Sequence, residues 1–338
     1  MNEKNVLLIG GTGALGSYAL KELVSLGYSL DVITLEDCEN FGNVRFYKTC
    51  TNEKNLAEFL EGKYYSAIVD FIHYSHIEYP YMLELLTSHT DQLVFLSSYR
   101  VYGNESHPIK EDSKQLTDFF SSEELQRTMQ DYPLEKSLCE NIIKESAFAK
   151  KVTVVRPVIS FYHGRLSFIT LKAPNIILRS GKKPMLAPIE AKKIIAGYSF
   201  SGNAGKQIAH LIGKEAALGE AFTVGGDEKL TWGEIGEYFT EALGSEFVWV
   251  DSETFLNYTT PNNTGEYYGL YNDRLINRDM DISKVLSVTG IPRSELILTR
   301  EAIFKEAEII KKDPERYING YNEEIEKNQE KYFKEIMK

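Results

Sequence analysis

Short apolar runs alternate with amphipathic stretches through the first half of the chain. Val6–Ile9 is an apolar run of strand length, and from Leu15 to Leu26 apolar residues recur at helical spacing until Gly27 ends the stretch. The later predicted strands are Leu30–Leu35, Ala67–Ile72, Leu93–Ser97 and Val152–Val155, and the later predicted helices are Asn55–Leu60, Tyr79–Thr87 and Leu134–Phe148. Because β-branched runs that alternate with helices are typical of strands buried on both sides, the pattern predicts an α/β fold with a parallel sheet covered on both faces.

The alternation of apolar runs and amphipathic stretches ends after Arg156 and Pro157. Residues 158–200 are rich in Lys, Pro and Gly and give no clear periodicity. The elements predicted beyond them are a helix at Ala204–Ile212, a strand at Ala221–Val224, a helix that starts with a capping box at Thr231 and ends at Gly244, and helices at Thr299–Lys311 and Asn322–Met337. We therefore predict a first domain at residues 1–157 and a smaller C-terminal α/β domain at residues 158–338.

Composition narrows the range of partners. The chain has 338 residues, a formal net charge of −11 and three cysteines without metal-ligand spacing. The negative charge disfavours a nucleic-acid partner, and the odd cysteine count disfavours a disulfide framework or a zinc site. The longest apolar runs have only strand length, and the first residues resemble a strand rather than a signal peptide. We expect a cytoplasmic protein with small-molecule ligands and no membrane partner.

A glycine-rich turn joins the first strand to the first helix. Gly10, Gly13 and Gly16 lie in GGTGALG, where backbone N–H groups and a helix N-terminus favour a pyrophosphate. Glu36 follows the second strand, 20 residues after Gly16, where a carboxylate accepts hydrogen bonds from ribose hydroxyls and repels a 2′-phosphate. This pattern favours NAD over NADP. Asp37 is the competing acidic residue, and a solvated Glu36 without a ligand is the plainer alternative.

A second group of candidates combines a tyrosine, a lysine and two serines. Tyr132 and Lys136 are four residues apart, which places both side chains on one face of a helix. A lysine ammonium near a phenol lowers the phenol pKa, so that Tyr132 can exchange a proton with an alcohol. Ser97 and Ser98 end an apolar strand, and a hydroxyl there can hold the reacting oxygen.

Taken in order, these motifs resemble the extended, and in its later segments atypical, short-chain dehydrogenase/reductases of the NAD-dependent epimerase/dehydratase family. GGTGALG is similar to the cofactor turn of that family, SSYRVYG to its Ser-Ser/Thr-x-x-Val-Tyr-Gly segment, and Tyr132 with Lys136 to its Tyr-x-x-x-Lys pair. Arg156-Pro157 is similar to its Arg-Pro pair. The resemblance implies a Rossmann fold, a doubly wound parallel sheet, with a smaller C-terminal substrate domain and a return to the first domain near residues 195–225. It also implies a homodimer.

The resemblance implies roles for individual residues. The implied catalytic residues are Ser98, Tyr132 and Lys136. The implied NAD-binding residues are Gly10, Thr12, Gly13, Ala14, Leu15, Gly16, Glu36, Phe71, Ile72, Ser97, Tyr132, Lys136 and Pro157. Candidate substrate residues are Tyr99, Arg165 and Arg278; the two arginines suit a substrate phosphate, and surface arginines are the plainer alternative. No metal is expected, because no third ligand accompanies His73 and His76.

The chain departs from the family pattern at several positions. Tyr99 and Arg100 replace the Asp-Glu pair of the dehydratases, which disfavours a 4,6-dehydratase. A Gly-Pro pair is missing after Arg156-Pro157, and Pro133 places Tyr132 at the edge of its helix. The expected function is an NAD-dependent epimerase or oxidoreductase that acts on a nucleotide sugar by Tyr-mediated proton transfer and hydride transfer to NAD. The alternatives are an NAD-binding regulatory or scaffold protein without turnover, and an NAD(P)H-dependent reductase of a small carbonyl compound.

Overall fold

A parallel sheet is the centre of the fold. The computed structural model describes residues 4–119, 121, 131–162, 164–260 and 269–336. Within these residues seven strands form the sheet, and they are β1 (Asn5–Ile9), β2 (Ser29–Thr34), β3 (Val44–Lys48), β4 (Ala67–Asp70), β5 (Leu93–Leu96), β6 (Val152–Pro157) and β10 (Ala221–Val224). Every neighbouring pair is parallel. This confirms the predicted sheet.

The strand order reverses between β1 and β4. The spatial order is β10-β6-β5-β4-β1-β2-β3, so the chain moves outward from β1 in one direction and then from β4 in the other. In sheets of this kind the loops after β1 and β4 diverge and leave a crevice at the carboxyl ends of the strands. Gly10 follows β1 and Asp70 ends β4, so both residues lie at this switch point.

Helices cover both faces of the sheet. In chain order the described α-helices are α1 (Gly16–Ser25), α2 (Glu53–Leu60), α3 (Tyr79–Ser88), α4 (Asp131–Glu145), α5 (Ala173–Arg179), α6 (Ser201–Leu211), α7 (Trp232–Leu243), α8 (Ser252–Thr259), α9 (Ser283–Thr289), α10 (Thr299–Lys312), α11 (Glu315–Ile318) and α12 (Glu323–Ile336). Apolar residues of α1, α6 and α9 pack on one face, and those of α2, α3 and α4 pack on the other. Met337, the last residue of the predicted C-terminal helix, lies outside the described residues.

Two later segments return to the sheet. Strand β10 pairs with β6 through Phe222 and Val155, so it forms the edge of the central sheet. Helix α6 packs against α1, and Gly205 allows this contact because a Cβ there would lie 2.6 Å from the Cβ of Tyr18. Helix α9 packs against α6 and β10. Residues 201–224 and 283–289 therefore support the layer that carries the glycine turn.

A third core lies under the C-terminal part of the chain. Its largest buried side chains are aromatic, and they include Phe161, Phe168, Trp232, Phe239 and Phe255. Two short parallel pairs line this region: β7 (Ile159–Phe161) with β9 (Tyr198–Phe200), and β8 (Met185–Pro188) with β11 (Phe247–Val250). Tyr99 and Tyr102, which follow β5, belong to the same core, so the end of β5 is packed between the two parts of the molecule.

Several elements differ from the sequence prediction, for local physical reasons. Strand β3 was not predicted, because its side chains are mostly exposed or half-buried at the sheet edge and give no apolar run. Residues 158–200 are not irregular; they contain β7, β8, β9 and the seven-residue α5. Elements of three to seven residues are too short for hydrophobic periodicity to distinguish them from loops.

The predicted capping box at Thr231 is confirmed. The Thr231 hydroxyl accepts from the Glu234 N–H at 3.2 Å, and the Glu234 carboxylate accepts from the Thr231 N–H at 2.8 Å. Gly244 ends α7 in the left-handed conformation, with φ of 71°. In the described part of the chain, the helices are too short or too polar to cross a bilayer.

Candidate active site

The glycine turn has the geometry that a dinucleotide phosphate requires. Gly10 has φ of +75°, and its N–H donates to Ile33 O at 2.9 Å, which ties the turn to β2. A Cβ on Gly16 would lie 2.8 Å from the Gly11 backbone, so the start of α1 packs directly on the turn. A Cβ on Gly13 would meet only the Gly10 carbonyl, at 3.4 Å, and Gly13 is exposed. The exposed side of the turn is therefore bare backbone at a helix N-terminus, which suits a pyrophosphate.

The remaining residues of the turn are spread between the surface and the core. Thr12 and Ala14 are half-buried, and Leu15 is buried where α1 begins. The Thr12 hydroxyl hydrogen-bonds to the Thr34 hydroxyl at 2.8 Å, which joins the turn to the end of β2. Leu15 makes no side-chain cap to the first turn of α1.

The acidic candidates follow β2. Strand β2 ends at Thr34, and the Glu36 N–H donates to the Thr34 hydroxyl at 3.1 Å, so Glu36 lies two residues beyond the strand end and is exposed. Its competitor Asp37 forms an ion pair with Lys48 at 2.6 Å. Asp37 therefore has a cationic partner at the surface, whereas Glu36 is exposed just beyond the end of β2.

Phe71, Ile72 and Pro157 lie at the carboxyl ends of their strands. A Cβ on Gly10 would lie 3.0 Å from the Cδ1 of Ile72 and 3.6 Å from the Cβ of Phe71, so both side chains flank the glycine turn. Pro157 ends β6 and is half-buried. The structure thus brings these three predicted positions to the edge of the sheet where the turn lies.

The two serines face different partners. Ser97 is fully buried, and its hydroxyl donates to the Glu140 carboxylate. Ser98 is 5% exposed and accepts from the Arg100 N–H at 3.2 Å, and its hydroxyl lowers the pKa of the Tyr132 phenol. Ser98 therefore faces Tyr132, while Ser97 contacts α4 through Glu140.

Tyr132 and Lys136 have different surroundings in the structure. Burial raises the pKa of the Tyr132 phenol above its ordinary value, and the Ser98 hydroxyl and the Arg100 guanidinium only partly offset this effect. The Lys136 amine lies 6.0 Å from the centre of the Tyr132 ring and donates instead to Leu96 O at 2.6 Å and Ile72 O at 3.4 Å. The lysine points into the sheet, because the carbonyls at the ends of β4 and β5 lie within its reach.

Lys136 is almost completely buried beside an acidic residue. It is 1% exposed, as is Asp70 at the end of β4. Burial lowers the pKa of Lys136, and the Asp70 charge partly restores it. Burial raises the pKa of the Asp70 carboxyl to about 7, against the opposing effects of the Ile72 N–H, Lys136 and the Tyr74 hydroxyl.

A buried ion pair holds α4 against the sheet. Arg156 donates to Glu140 through Nε at 3.0 Å and Nη2 at 2.6 Å, and both side chains are at most 2% exposed. The Gln115 amide donates to the same carboxylate at 3.0 Å, and Arg156 donates to the Tyr102 hydroxyl at 2.9 Å. Because the charges are paired and hydrogen-bonded, the network fixes α4 relative to the ends of β5 and β6.

Three arginines surround one buried carboxylate next to Ser98. Asp273 Oδ1 accepts from Arg278, whose Nη2 lies at 3.2 Å, and Oδ2 lies 3.5 Å from the Arg100 Nε and also contacts Arg274. The Tyr99 hydroxyl donates to Oδ2 at 2.7 Å. Burial acts to raise the pKa of Asp273, but the arginines outweigh it and hold that pKa below its usual range.

The structure separates the candidate substrate residues. Tyr99 is buried with its hydroxyl on Asp273, and Arg278 is 3% exposed in the same cluster. Arg165 lies elsewhere, with its guanidinium 5.2 Å from the centre of the Tyr162 ring. Glu36 raises the pKa of that tyrosine, after the larger effect of burial. Arg165 therefore packs on Tyr162 and is not among the arginines that contact Asp273.

The other titratable candidates have structural partners. His76 Nδ1 lies 2.8 Å from the Glu135 carboxylate, and Cys139 is buried with its pKa raised to about 12 by burial. Among the residues that the structure describes, no cluster of histidine, cysteine and acidic side chains is suited to a metal ion.

Sequence reasoning missed several residues of this site. Glu140 could have been found from the sequence, because it lies four residues after Lys136 and so one further turn along the same helix face. Asp70 had a weaker sequence indication, since it is an acidic residue at the end of an otherwise apolar strand. Asp273 and Arg274 had none, since they meet Tyr99 and Arg100 from more than 170 residues away in the sequence.

Comparison with known proteins supports the fold. No family model and no curated protein matches the sequence. Among solved structures, the chain is similar to the epimerase Mth375 from Methanothermobacter thermautotrophicus, with a TM-score of 0.71, 14% identity and coverage of 94% of each chain. A short-chain dehydrogenase/reductase superfamily protein from Agrobacterium tumefaciens with bound NAD gives a TM-score of 0.66, 14% identity and coverage of 92% of this chain and 98% of that one.

A third similar structure is that of a variant UDP-glucuronic acid 4-epimerase from Bacillus cereus, in complex with NAD and a fluorinated UDP-sugar. It gives a TM-score of 0.65 and 14% identity, over 91% of this chain and 99% of that one. Likenesses at this identity concern the fold. The chain therefore adopts the fold of the extended short-chain dehydrogenase/reductases that its motifs resemble.

Proposed function

We propose that this protein is an NAD-dependent epimerase or oxidoreductase that acts on a nucleotide sugar. The observation that carries the proposal is the placement of Ser98 at the end of β5, where its hydroxyl lowers the pKa of the Tyr132 phenol, on the sheet edge that also carries the bare glycine turn. A hydroxyl paired with a phenol can bind one alcohol oxygen of a substrate and exchange its proton. NAD, when bound, would accept a hydride from the carbon that bears this oxygen.

We assign the following cofactor-binding and proton-transfer roles to residues of the chain. Gly10, Gly13 and Gly16 would hold the pyrophosphate of NAD, and Glu36 would bind the adenosine ribose. Lys136 would bind the other ribose, and Tyr132 would take the proton from the substrate hydroxyl while Ser98 orients the oxygen. The absence of a 2′-phosphate partner next to Glu36 in the sequence supports NAD over NADP.

The arginine cluster supports an anionic substrate. Arg100, Arg274 and Arg278 all approach the Asp273 carboxylate, so three guanidinium groups lie close together near Ser98. Arg100 also acts on the Tyr132 phenol, which places its charge close to the proposed reaction centre. Guanidinium groups suit phosphate and carboxylate oxygens, so a nucleoside diphosphate sugar fits this electrostatic environment.

The decisive experiment combines cofactor binding with turnover. NADH and NADPH binding would be measured by fluorescence, and UDP-hexoses and UDP-uronic acids would be offered as substrates with the products followed by NMR. We expect NADH binding and conversion of at least one sugar nucleotide, with Tyr132→Phe reducing turnover by about a hundredfold or more. Tyr81→Phe, a change at an exposed tyrosine on α3, is the matched control. Full activity of Tyr132→Phe would remove the phenol from the mechanism.

One observation favours a second candidate function. The raised pKa of Tyr132 and the inward hydrogen bonds of Lys136 are also what an NAD-binding regulatory protein without turnover would have. That function predicts NADH binding, no conversion of any sugar nucleotide and no effect of Tyr132→Phe. The same measurements therefore separate the two candidates.

A further inference from the structure

Asp70 has an unusual position for an ionisable residue. It ends β4 at the switch point of the sheet and is 1% exposed. One carboxylate oxygen, Oδ1, accepts from the Ile72 N–H at 3.0 Å and from the Tyr74 hydroxyl at 3.4 Å. Among the residues that the structure describes, the other oxygen has no hydrogen-bond partner. A buried carboxylate with one bare oxygen is costly unless its charge serves a neighbour.

Lys136 is that neighbour. Its amine donates to the carbonyl of Ile72, the residue whose N–H donates to Asp70, so a single residue links the two side chains. The charges of Asp70 and Lys136 each favour the ionised form of the other. In a buried site such an interaction is much less screened than at the surface.

The protonation state of Lys136 decides whether it has a hydrogen left for a ligand. In the described part of the chain, two backbone carbonyls accept from its amine, Leu96 O and Ile72 O. An ammonium has three N–H donors, so one remains after these two bonds. A neutral amine has two, and both would be used by the carbonyls. Only the charged lysine can therefore donate to both carbonyls and to a ribose oxygen at the same time, since a neutral amine could only accept from the ribose hydroxyl.

We propose that Asp70 is a positioning residue that keeps Lys136 charged and thereby supplies the third N–H with which Lys136 binds the cofactor ribose. The inference rests on the proposed function, because it assigns the ribose to Lys136. Asp70 does not touch the cofactor; it acts through the lysine.

Other ionisable groups face this pair and enter its pH dependence. Those on or after β4 and on α3 are His73, Tyr74, Glu78 and Tyr79, and those on α4 are Glu135, Cys139 and Glu140. Asp70 is the first group to raise the pKa of Lys136, ahead of Cys139 and Glu140. Removal of Asp70 is therefore the change that should affect the lysine most.

The test is the pH dependence of NADH binding, measured by fluorescence from mildly acidic to alkaline pH in wild type and Asp70→Asn. The affinity of wild type should fall at alkaline pH as Lys136 loses its proton. In Asp70→Asn this fall should move to lower pH by about one to three pH units, the usual effect of an opposite charge at close range. Tyr79→Phe is the matched control, since it removes a buried hydroxyl of the same cluster without changing its charge.

The inference would be overturned if Asp70→Asn binds NADH and its affinity falls at the same alkaline pH as that of wild type. That result would leave the proposed function intact. Failure of wild type to bind NADH at any pH would instead defeat the proposed function. A second measurement needs no Asp70 variant: NMR of isotope-labelled lysine in wild type, with Lys136 assigned by the loss of its signal in Lys136→Met. The Lys136 signal should shift as Asp70 ionises near pH 7, and a signal that is flat there would also overturn the inference.

Discussion

At the scale of single residues, the glycines between β1 and α1 serve two different purposes. Gly16 allows close packing, because a Cβ there would lie 2.8 Å from the Gly11 backbone. A Cβ built on Gly13 would have no protein atom closer than 3.4 Å, so the packing of the fold does not require a glycine there. The same motif thus contains one glycine that the packing requires and one whose open backbone would serve the proposed cofactor.

This difference gives a paired prediction. Gly16→Ala should lower the free energy of unfolding by about 1–3 kcal/mol, because backbone must move to admit the methyl group. Gly13→Ala should leave stability nearly unchanged and weaken NADH binding by about tenfold, which corresponds to about 1.4 kcal/mol. Urea denaturation and NADH fluorescence measure the two effects. Equal loss of stability in both variants would show that Gly13 is also a packing residue.

Tyr132 and Lys136 show that helical spacing alone does not determine the charge state of two side chains. The i, i+4 relation is present in α4, but the phenol is governed by burial, Ser98 and Arg100, and the amine by Asp70 and two carbonyls. A shared helix face brings two side chains near each other, while their charge states are decided by the other elements that surround them.

At the scale of elements, α7 shows a helix whose start is specified locally. Thr231 and Glu234 exchange hydrogen bonds within four residues, and Trp232 packs below them with its Nε1 donating to Arg274 O at 3.2 Å. The hydrogen bonds that Thr231 donates to the Glu234 carboxylate lower the pKa of that carboxyl. A group with a lowered pKa in the folded state stabilises the protein above its unfolded pKa and loses this contribution as the pH falls through the folded value.

We therefore predict that Thr231→Ala lowers the free energy of unfolding by about 1 kcal/mol at neutral pH. The difference from wild type should shrink in acid, where Glu234 is protonated in both proteins. Urea denaturation at neutral and acidic pH measures it, with Thr231→Ser as the control that retains the cap. A difference that is the same at both pH values would mean that Glu234 takes no part.

At the scale of the whole molecule, buried charges join the sheet to the C-terminal part. The segment after β5 supplies Tyr99 and Arg100, and the segment before α9 supplies Asp273, Arg274 and Arg278. The Asp273 carboxylate approaches all three guanidinium groups. The carboxylate thus holds the candidate reaction centre between two parts of the fold.

Asp273→Asn should therefore lower the free energy of unfolding by about 3–5 kcal/mol at neutral pH, because it removes one partner of the buried ion pair with Arg278. Since the arginines hold the pKa of Asp273 below its usual range, the wild-type advantage should persist into mild acid and disappear only below that lowered pKa. Asp37→Asn, at the exposed pair with Lys48, is the control and should cost less than about 1 kcal/mol. Thermal and urea unfolding across pH compare the two, and equal costs would contradict a bridging role for Asp273.

The sequence alone determined the parts of this protein that depend on local order. Apolar runs of strand length, a glycine turn between a strand and a helix, and a capping box are properties of neighbouring residues, so β1, β2, β4, β5, β6, α1 and the start of α7 were predictable. The ordered motifs also placed Gly13, Ser98, Tyr132 and Lys136 in one candidate site.

Only the tertiary structure decided which groups control that site. Asp70 meets Lys136 across 66 positions of the chain, and Asp273 meets Tyr99 across 174. Side-chain charge in a buried site depends on every element packed around it, and no local pattern encodes partners from such distances. The short strands and helix of residues 158–200 were hidden for the related reason that they are held by contacts with the aromatic core rather than by their own periodicity.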